Sequence, residues 1–189
     1  MRKFLFILAL FFCMMSNAQG TVEFILTPDG YYKTEEGQDY TIVRFDGKTA
    51  HQIYQELATN INSIYNKPSE VMNGVEDSSI KIRAYSNDLI RARALGLGQS
   101  LGGYYQLEFQ IKDGRVRVSA PYIESKVGYM TPQGYSESNF RDMLKKHFKK
   151  DGTLKDGKRA EDYTAVVLKM NNIINSILNL SDSQQSEDW

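Results

Sequence analysis

A chain of 189 residues with one cysteine, two histidines, and 23 basic against 23 acidic side chains excludes several classes at once. The balanced charge lacks the strong basic excess of a general nucleic-acid binder, so no nucleic-acid partner is expected. With so few thiols and imidazoles, neither a cysteine framework nor a multi-histidine metal site is expected.

The first residues, MRKFLFILALFFCMMSNAQG, place Arg2 and Lys3 before an apolar run from Phe4 to Met15, then Ser16-Asn17-Ala18 with small residues at the cleavage positions. This pattern predicts a secretory signal peptide over 1–18, cleaved near Ala18, and export to the periplasm or the extracellular space. The run is too short for a membrane span of about 20 residues, and no later segment replaces it, so the mature chain is expected to have no transmembrane segment. Phe12 stands before Cys13 where a lipid-modification box needs a small residue, which favours soluble export over a lipid anchor. Cleavage also removes the only cysteine, so the exported chain must be stabilised by packing. A single α+β domain is expected over 19–180, with a polar, acidic tail over 181–189.

Along the mature chain, Thr21–Thr27 is β-rich, Pro28-Asp29-Gly30 is a turn, and Tyr31-Tyr32 opens a return strand. Tyr40–Phe45 reads as a strand. Asp46-Gly47 then leads into a helix over Thr49–Tyr65, opened by a Thr49/Gln52 capping box. Its inward stripe is Ile53, Tyr54, Leu57, Ile61, Ile64 and Tyr65, and Asn66-Lys67-Pro68 ends it. Ser69–Ser79 reads as a polar loop, and Ile80–Tyr85 as an alternating strand. Asn87–Gly103 is ambiguous: Leu89–Leu95 fits an irregular strand or one helical turn, and Gly96, Gly98, Gly102 and Gly103 read as a flexible connection.

Gly103–Ile123 is the clearest stretch. Tyr105, Leu107, Phe109 and Ile111 alternate with polar residues, as do Val116, Val118 and Ala120 after Asp113-Gly114. A type I′ turn at Asp113-Gly114 would set Ile111 opposite Val116, Phe109 opposite Val118 and Leu107 opposite Ala120. Pro121 limits further pairing. Beyond it, Gly128–Gly134 reads as loop and Ser136–Lys150 as a helix. Turns at Asp151-Gly152 and Asp156-Gly157 precede a long amphipathic helix whose stripe is Tyr163, Val166, Val167, Met170, Ile173, Ile174, Ile177 and Leu178.

Candidate chemistry is sparse. His51 and His147 stand alone, without metal-ligand spacing, and read as surface residues. Glu35-Glu36 lies in a turn and Glu161-Asp162 at a helix start, where acids favour the dipole. The glycines from Gly96 to Gly103 follow no buried strand and open no helix, so they do not fit a dinucleotide loop. No catalytic, cofactor-binding or metal residue is assigned, and no cofactor is expected. The segment Arg141–Arg159 is locally basic. Its lysines Lys145, Lys146, Lys149 and Lys150 are the candidate surface for an anionic partner such as an acidic glycan or an anionic lipid surface.

The succession TPDGYY, DYTIVRFDGKTAHQIYQ, IYNKP, IKI, YYQLEFQIKDGRVRVSAP and FKKDGTLKDGKR before a last helix resembles exported domains of unknown function from Bacteroides-type bacteria. The resemblance covers roughly 22–180. It implies a TATA-binding-protein-like (TBP-like) fold and carries no catalytic residues with it, since its motifs are turns and caps. The expectation is therefore an α+β fold: a curved, mainly antiparallel sheet with helices packed on one face. The expected role is a non-enzymatic binding or interaction module of the cell envelope, with an envelope protein, glycan or anionic lipid as partner. Two alternatives remain: a hydrolase-type enzyme whose carboxylates assemble only in three dimensions, and a carrier with an apolar cavity between sheet and helices.

Overall fold

The computed structural model describes residues 20–94, 97–131 and 134–180. The expected signal peptide and acidic tail lie outside these residues. In chain order, β1 (Ile25–Leu26) and β2 (Tyr32–Lys33) form a small hairpin, followed by β3 (Tyr40–Arg44), α1 (Ala50–Ile64), the short α2 (Pro68–Val71) and β4 (Met72–Val75). Two long strands come next, β5 (Ser79–Ala94) and β6 (Leu97–Lys112). The chain ends with β7 (Arg115–Ser119), β8 (Tyr122–Thr131), β9 (Gly134–Asn139), α3 (Phe140–Lys145) and α4 (Lys158–Leu178).

The sheet grows outward from β5 and β6, 16 residues each and antiparallel. Seven strands run in the order β3-β7-β6-β5-β4, with β8 pairing β6 and β9 pairing β8. One edge of β6 is thus shared: β7 takes residues 109–112, and β8 takes over along 102–106. Register shifts between Ser86 and Ile90 in β5, and between Gly103 and Tyr105 in β6, bend the ladder. Alternation decides which face is buried. Ile80 lies opposite Phe109, Ile82 opposite Leu107, Ala84 opposite Tyr105 and Val43 opposite Val116, all on the inner face.

The two long helices cover that face. The capping box at Thr49 and Gln52 forms as expected, and Ile53, Leu57 and Ile61 of α1 are fully buried. Each of these should contribute about 1.5–3 kcal/mol of apolar burial before entropy is counted. Ile64 departs from the expected stripe and is 37% exposed, because the helix ends there and Tyr65 turns back in extended conformation. Helix α4 buries Val166, Met170, Ile174, Ile177 and Leu178.

Two asparagines on α4 hold the N-terminal segment. The Asn175 side-chain amide accepts from the Val22 N–H (2.7 Å) and donates to the Val22 carbonyl (2.9 Å); Asn171 does the same for Phe24 (3.1 and 3.0 Å). The spacing explains the match. Four residues of helix rise about 6 Å and two residues of strand about 6.6 Å, so an i, i+4 asparagine pair reads alternate residues of an extended chain. Of the Thr21–Thr27 strand expected from sequence, only Ile25–Leu26 joins a strand ladder, and helix side chains pair Val22 and Phe24 in its place.

Several expectations are corrected. The turn at Asp113-Gly114 has positive φ only at Gly114, so it is not type I′; the Asp113 carboxylate instead accepts the Ala50 N–H at the start of α1 (2.7 Å). The Ile111–Val116 and Phe109–Val118 pairs form, but β7 stops at Ser119, and the Ala120 N–H donates to Asp39 rather than extending the ladder toward Leu107. Ser69–Ser79 contains α2 and the edge strand β4 rather than a loop. Asn87–Gly103 is continuous strand on both sides of residues 95–96. Gly128–Thr131 and Gly134 lie in the paired strands β8 and β9, and the helix expected over Ser136–Lys150 is only Phe140–Lys145. Asn139 starts that helix by accepting from the Arg141 and Asp142 N–H groups, and a tightened turn at Lys146–Phe148 ends it.

Candidate ligand-binding face

The outer face of the sheet is the part of the described structure that no helix covers. It carries the residues that alternate with the core. Tyr40, Ile42 and Arg44 come from β3, Arg115, Arg117 and Ser119 from β7, and Tyr104, Gln106, Glu108, Gln110 and Lys112 from β6. Lys81, Arg83 and Tyr85 of β5 and Tyr122 and Glu124 of β8 complete it. Large side chains stand in solvent there: Ile42 is 52% exposed, Tyr85 45%, Tyr122 43% and Tyr104 40%.

Two halves of this face differ in electrostatics. In the half built on β5, β6 and β8, the Arg83 guanidinium donates to both Glu124 carboxylate oxygens (2.6 and 3.0 Å) and stacks over the Tyr104 ring at 4.0 Å. Gln106 adds a third bond to Glu124 (3.0 Å), and Lys81 pairs with Glu108 at 3.6 Å. The Arg83 bonds hold the Glu124 carboxyl below its ordinary value, with a smaller contribution from Gln106. A depression of about 300 Å³ opens where β7 gives way to β8, lined by Lys81, Arg83, Gln106, Glu108 and Tyr122 among others.

In the half built on β3, β7 and β6, the cations have no acidic partner among the described residues. Arg44 lies directly opposite Arg115, and Arg115 directly opposite Lys112. Among the described residues, none of the three forms an ion pair. Arg117 sits over the Tyr40 ring at 4.2 Å and donates to Gln110 (3.4 Å). A second depression, of about 240 Å³, is lined by Ile42, Gln110, Lys112, Arg115 and Arg117.

At the far end of the face, glycine makes room for aromatic rings. A Cβ on Gly102 would overlap the Tyr85 hydroxyl, and one on Gly128 would overlap the Tyr135 ring and the Ser136 carbonyl. Gly102 and Gly128 are cross-strand partners, so the two tyrosines lie over adjacent glycines. Desolvation, then the proximity of Tyr85, pushes the Tyr135 phenol above its ordinary value. Of the glycines that read as a flexible connection, Gly102 is therefore part of the floor beneath an aromatic cluster, in which Tyr85 also meets Tyr104 edge-on at 5.1 Å.

Elsewhere, the sequence candidates fare unevenly. Lys145 pairs with Asp142 (3.3 Å) and Lys149 with Asp156 (3.8 Å), while the Lys146 amine lies 3.6 Å from the Met143 sulfur. All four candidate lysines are exposed. His147 is not a surface residue. It is 2% exposed, with Nδ1 at 3.2 Å from the carbonyls of Met143 and Leu144, a position that places its proton on Nδ1. Burial pushes the imidazole below its ordinary value, which those carbonyls offset only in part. His51 is exposed as expected and pairs with Asp77 (3.0 Å), with Glu76 beside it; the three ligand atoms lie within 4.8 Å of one another. Of the carboxylate pairs, Glu161 lies in the first turn of α4 and Asp162 is buried, while Glu35 and Glu36 remain in an exposed turn. Between sheet and helices, Phe24, Phe109 and Phe140 are fully buried, filling space that a carrier cavity would need.

Compared with known proteins, the chain matches no family model and no curated sequence. Solved structures do match. A TBP-like protein from Parabacteroides distasonis aligns with a TM-score of 0.51 at 14% identity, covering 78% of this chain and 92% of its own. A DUF4468 family protein from Bacteroides ovatus aligns with a TM-score of 0.52 at 11% identity, covering 90% and 95%. The fold is TBP-like. At such identities the likeness is one of fold, in agreement with the resemblance carried by the turn and cap motifs. In this TBP-like sheet, the uncovered face described above lies opposite α1 and α4. No helix among the described residues is long and apolar enough to cross a membrane.

Proposed function

We propose that the protein is an exported, non-enzymatic binding module of the cell envelope, cut near Ala18, whose residues 19–180 act as one unit and engage a ligand through the outer face of the sheet. The observation that carries this reading is the exposure of Ile42, Tyr85, Tyr104 and Tyr122 on one continuous face that no described helix covers. Exposed aromatic and apolar groups grouped in this way mark interaction surfaces. The leader pattern supports the envelope location. The lysine segment Lys145–Lys150 is the weaker candidate surface, because two of its amines already have acidic partners.

The test is cosedimentation of the purified protein with the insoluble envelope fraction of its host cell. Ile42→Glu and Tyr122→Ser should each reduce the bound fraction, whereas Lys145→Gln with Lys149→Gln should leave it unchanged. Equal binding by all variants would overturn the assignment of the face. Release of reducing ends or free carboxylates during the incubation would contradict the non-enzymatic part.

A further inference from the structure

We infer that the corner of the outer face where β3, β7 and β6 run side by side holds an acidic sugar residue, a unit of a carboxylate- or sulfate-bearing glycan. This deepens the binding reading above and rests on it. Arg44, Arg115 and Lys112 form a row of directly opposed like charges across three strands. Such pairs are destabilising in a sheet, and among the described residues no acid pairs with them. The other half of the same face pairs its cations with Glu124 and Glu108. The nearest acid in sequence, Asp113, is engaged by the Ala50 N–H at the start of α1. A ligand anion is the group that completes this corner.

The geometry also describes that anion's carrier. Arg117 is held in place by Tyr40 and Gln110, so little side-chain freedom remains to be lost on binding. Guanidinium forks suit planar or tetrahedral oxyanions. Ile42, directly opposite Arg117 and half exposed, offers an apolar surface for the C–H face of a sugar ring. The 240 Å³ depression corresponds to roughly eight water volumes at ~30 Å³ each, enough for one ring and its acidic substituent. The cation row spans about 10 Å across three strands, short of the extended phosphate tract that a nucleic-acid duplex presents.

The test is titration of the purified protein with an oligogalacturonate tetramer and a heparin tetrasaccharide, with maltotetraose as the neutral control. Anionic phosphatidylglycerol vesicles and a short DNA duplex serve as rival polyanions. At least one acidic tetramer should bind, with affinity falling as salt is raised. Arg115→Gln and Arg117→Gln should each weaken it by about tenfold, and Arg115→Glu by more. Lys145→Gln with Lys149→Gln should have no effect. Cooperative thermal melting of the Arg115 and Arg117 variants, with no large fall in midpoint, would establish that any loss is local. Equal binding of maltotetraose, tighter Arg115-dependent binding of the duplex or the vesicles, or unchanged affinity in both arginine variants would overturn the inference. If envelope cosedimentation responds to Tyr122→Ser while no acidic tetramer binds, this inference fails and the binding module stands.

Discussion

The two faces of the sheet are made by the same strands and obey different rules. On the inner face, the directly opposed pairs Ile80–Phe109, Ile82–Leu107 and Val43–Val116 are apolar and buried beneath α1 and α4. On the outer face, the intervening positions stand tyrosines over glycines and arginines opposite one another. Stability accounts for the first arrangement. It does not account for Arg44, Arg115 and Lys112 in a row. A face that tolerates repulsion where a glutamate would relieve it is not arranged for stability alone.

Perturbing each face probes this contrast. The largest effect belongs to the inner face: Leu57→Asp puts a carboxylate in a fully buried position, and a loss above about 4 kcal/mol is expected, seen as absence of a cooperative urea transition. Next is Asn175→Ala, which strips the Val22 N–H and carbonyl of their partner. About 1–3 kcal/mol should be lost by urea denaturation, with amide exchange at Val22 accelerated. On the outer face, Gly102→Ala should displace the Tyr85 ring and cost about 1–3 kcal/mol; a neutral result would show that the ring position is incidental. His147 gives a pH-dependent effect of the inner side. The unfolded imidazole takes a proton near 6.5 and the buried one only at lower pH, so stability should hold above 6.5 and fall as the pH drops from 6.5 toward the folded value. Arg159 opposes and Asp162 favours that protonation, and a neutral replacement at His147 should flatten the curve. The smallest effect is a gain: Arg115→Gln should stabilise by up to about 1 kcal/mol at low salt, and the gain should shrink as salt screens the row.

What was legible in the sequence follows the same division. The hairpin from Tyr105 to Val118, the capped helix at Thr49 and the stripe of α4 were readable because burial on one side imposes a period of 2 or 3.6. The region where β5, β6 and β8 meet was not, because Gly102 and Gly128 look like loop residues until Tyr85 and Tyr135 are seen lying over them. The strand β9 has a polar sequence at a sheet edge and leaves no alternation to find. Asn171 and Asn175 pass for exposed helix residues, since nothing local reveals that Phe24 and Val22 will lie against them. His147 was read as surface because its neighbours in sequence are lysines, although its ring turns inward. Half of the cation row was in view, as Lys112 and Arg115 flank one turn. The other half needed β3 beside β7, a neighbourhood set by topology and not by chain order.

The most direct measurement is amide chemical-shift mapping of the purified protein during titration with the acidic tetrasaccharide. The account predicts shifts concentrated at Ile42–Arg44, Gln110–Lys112 and Arg115–Arg117, saturating together and abolished by Arg115→Glu. Shifts confined to Lys145–Lys150, or scattered over the surface without saturation, would contradict it.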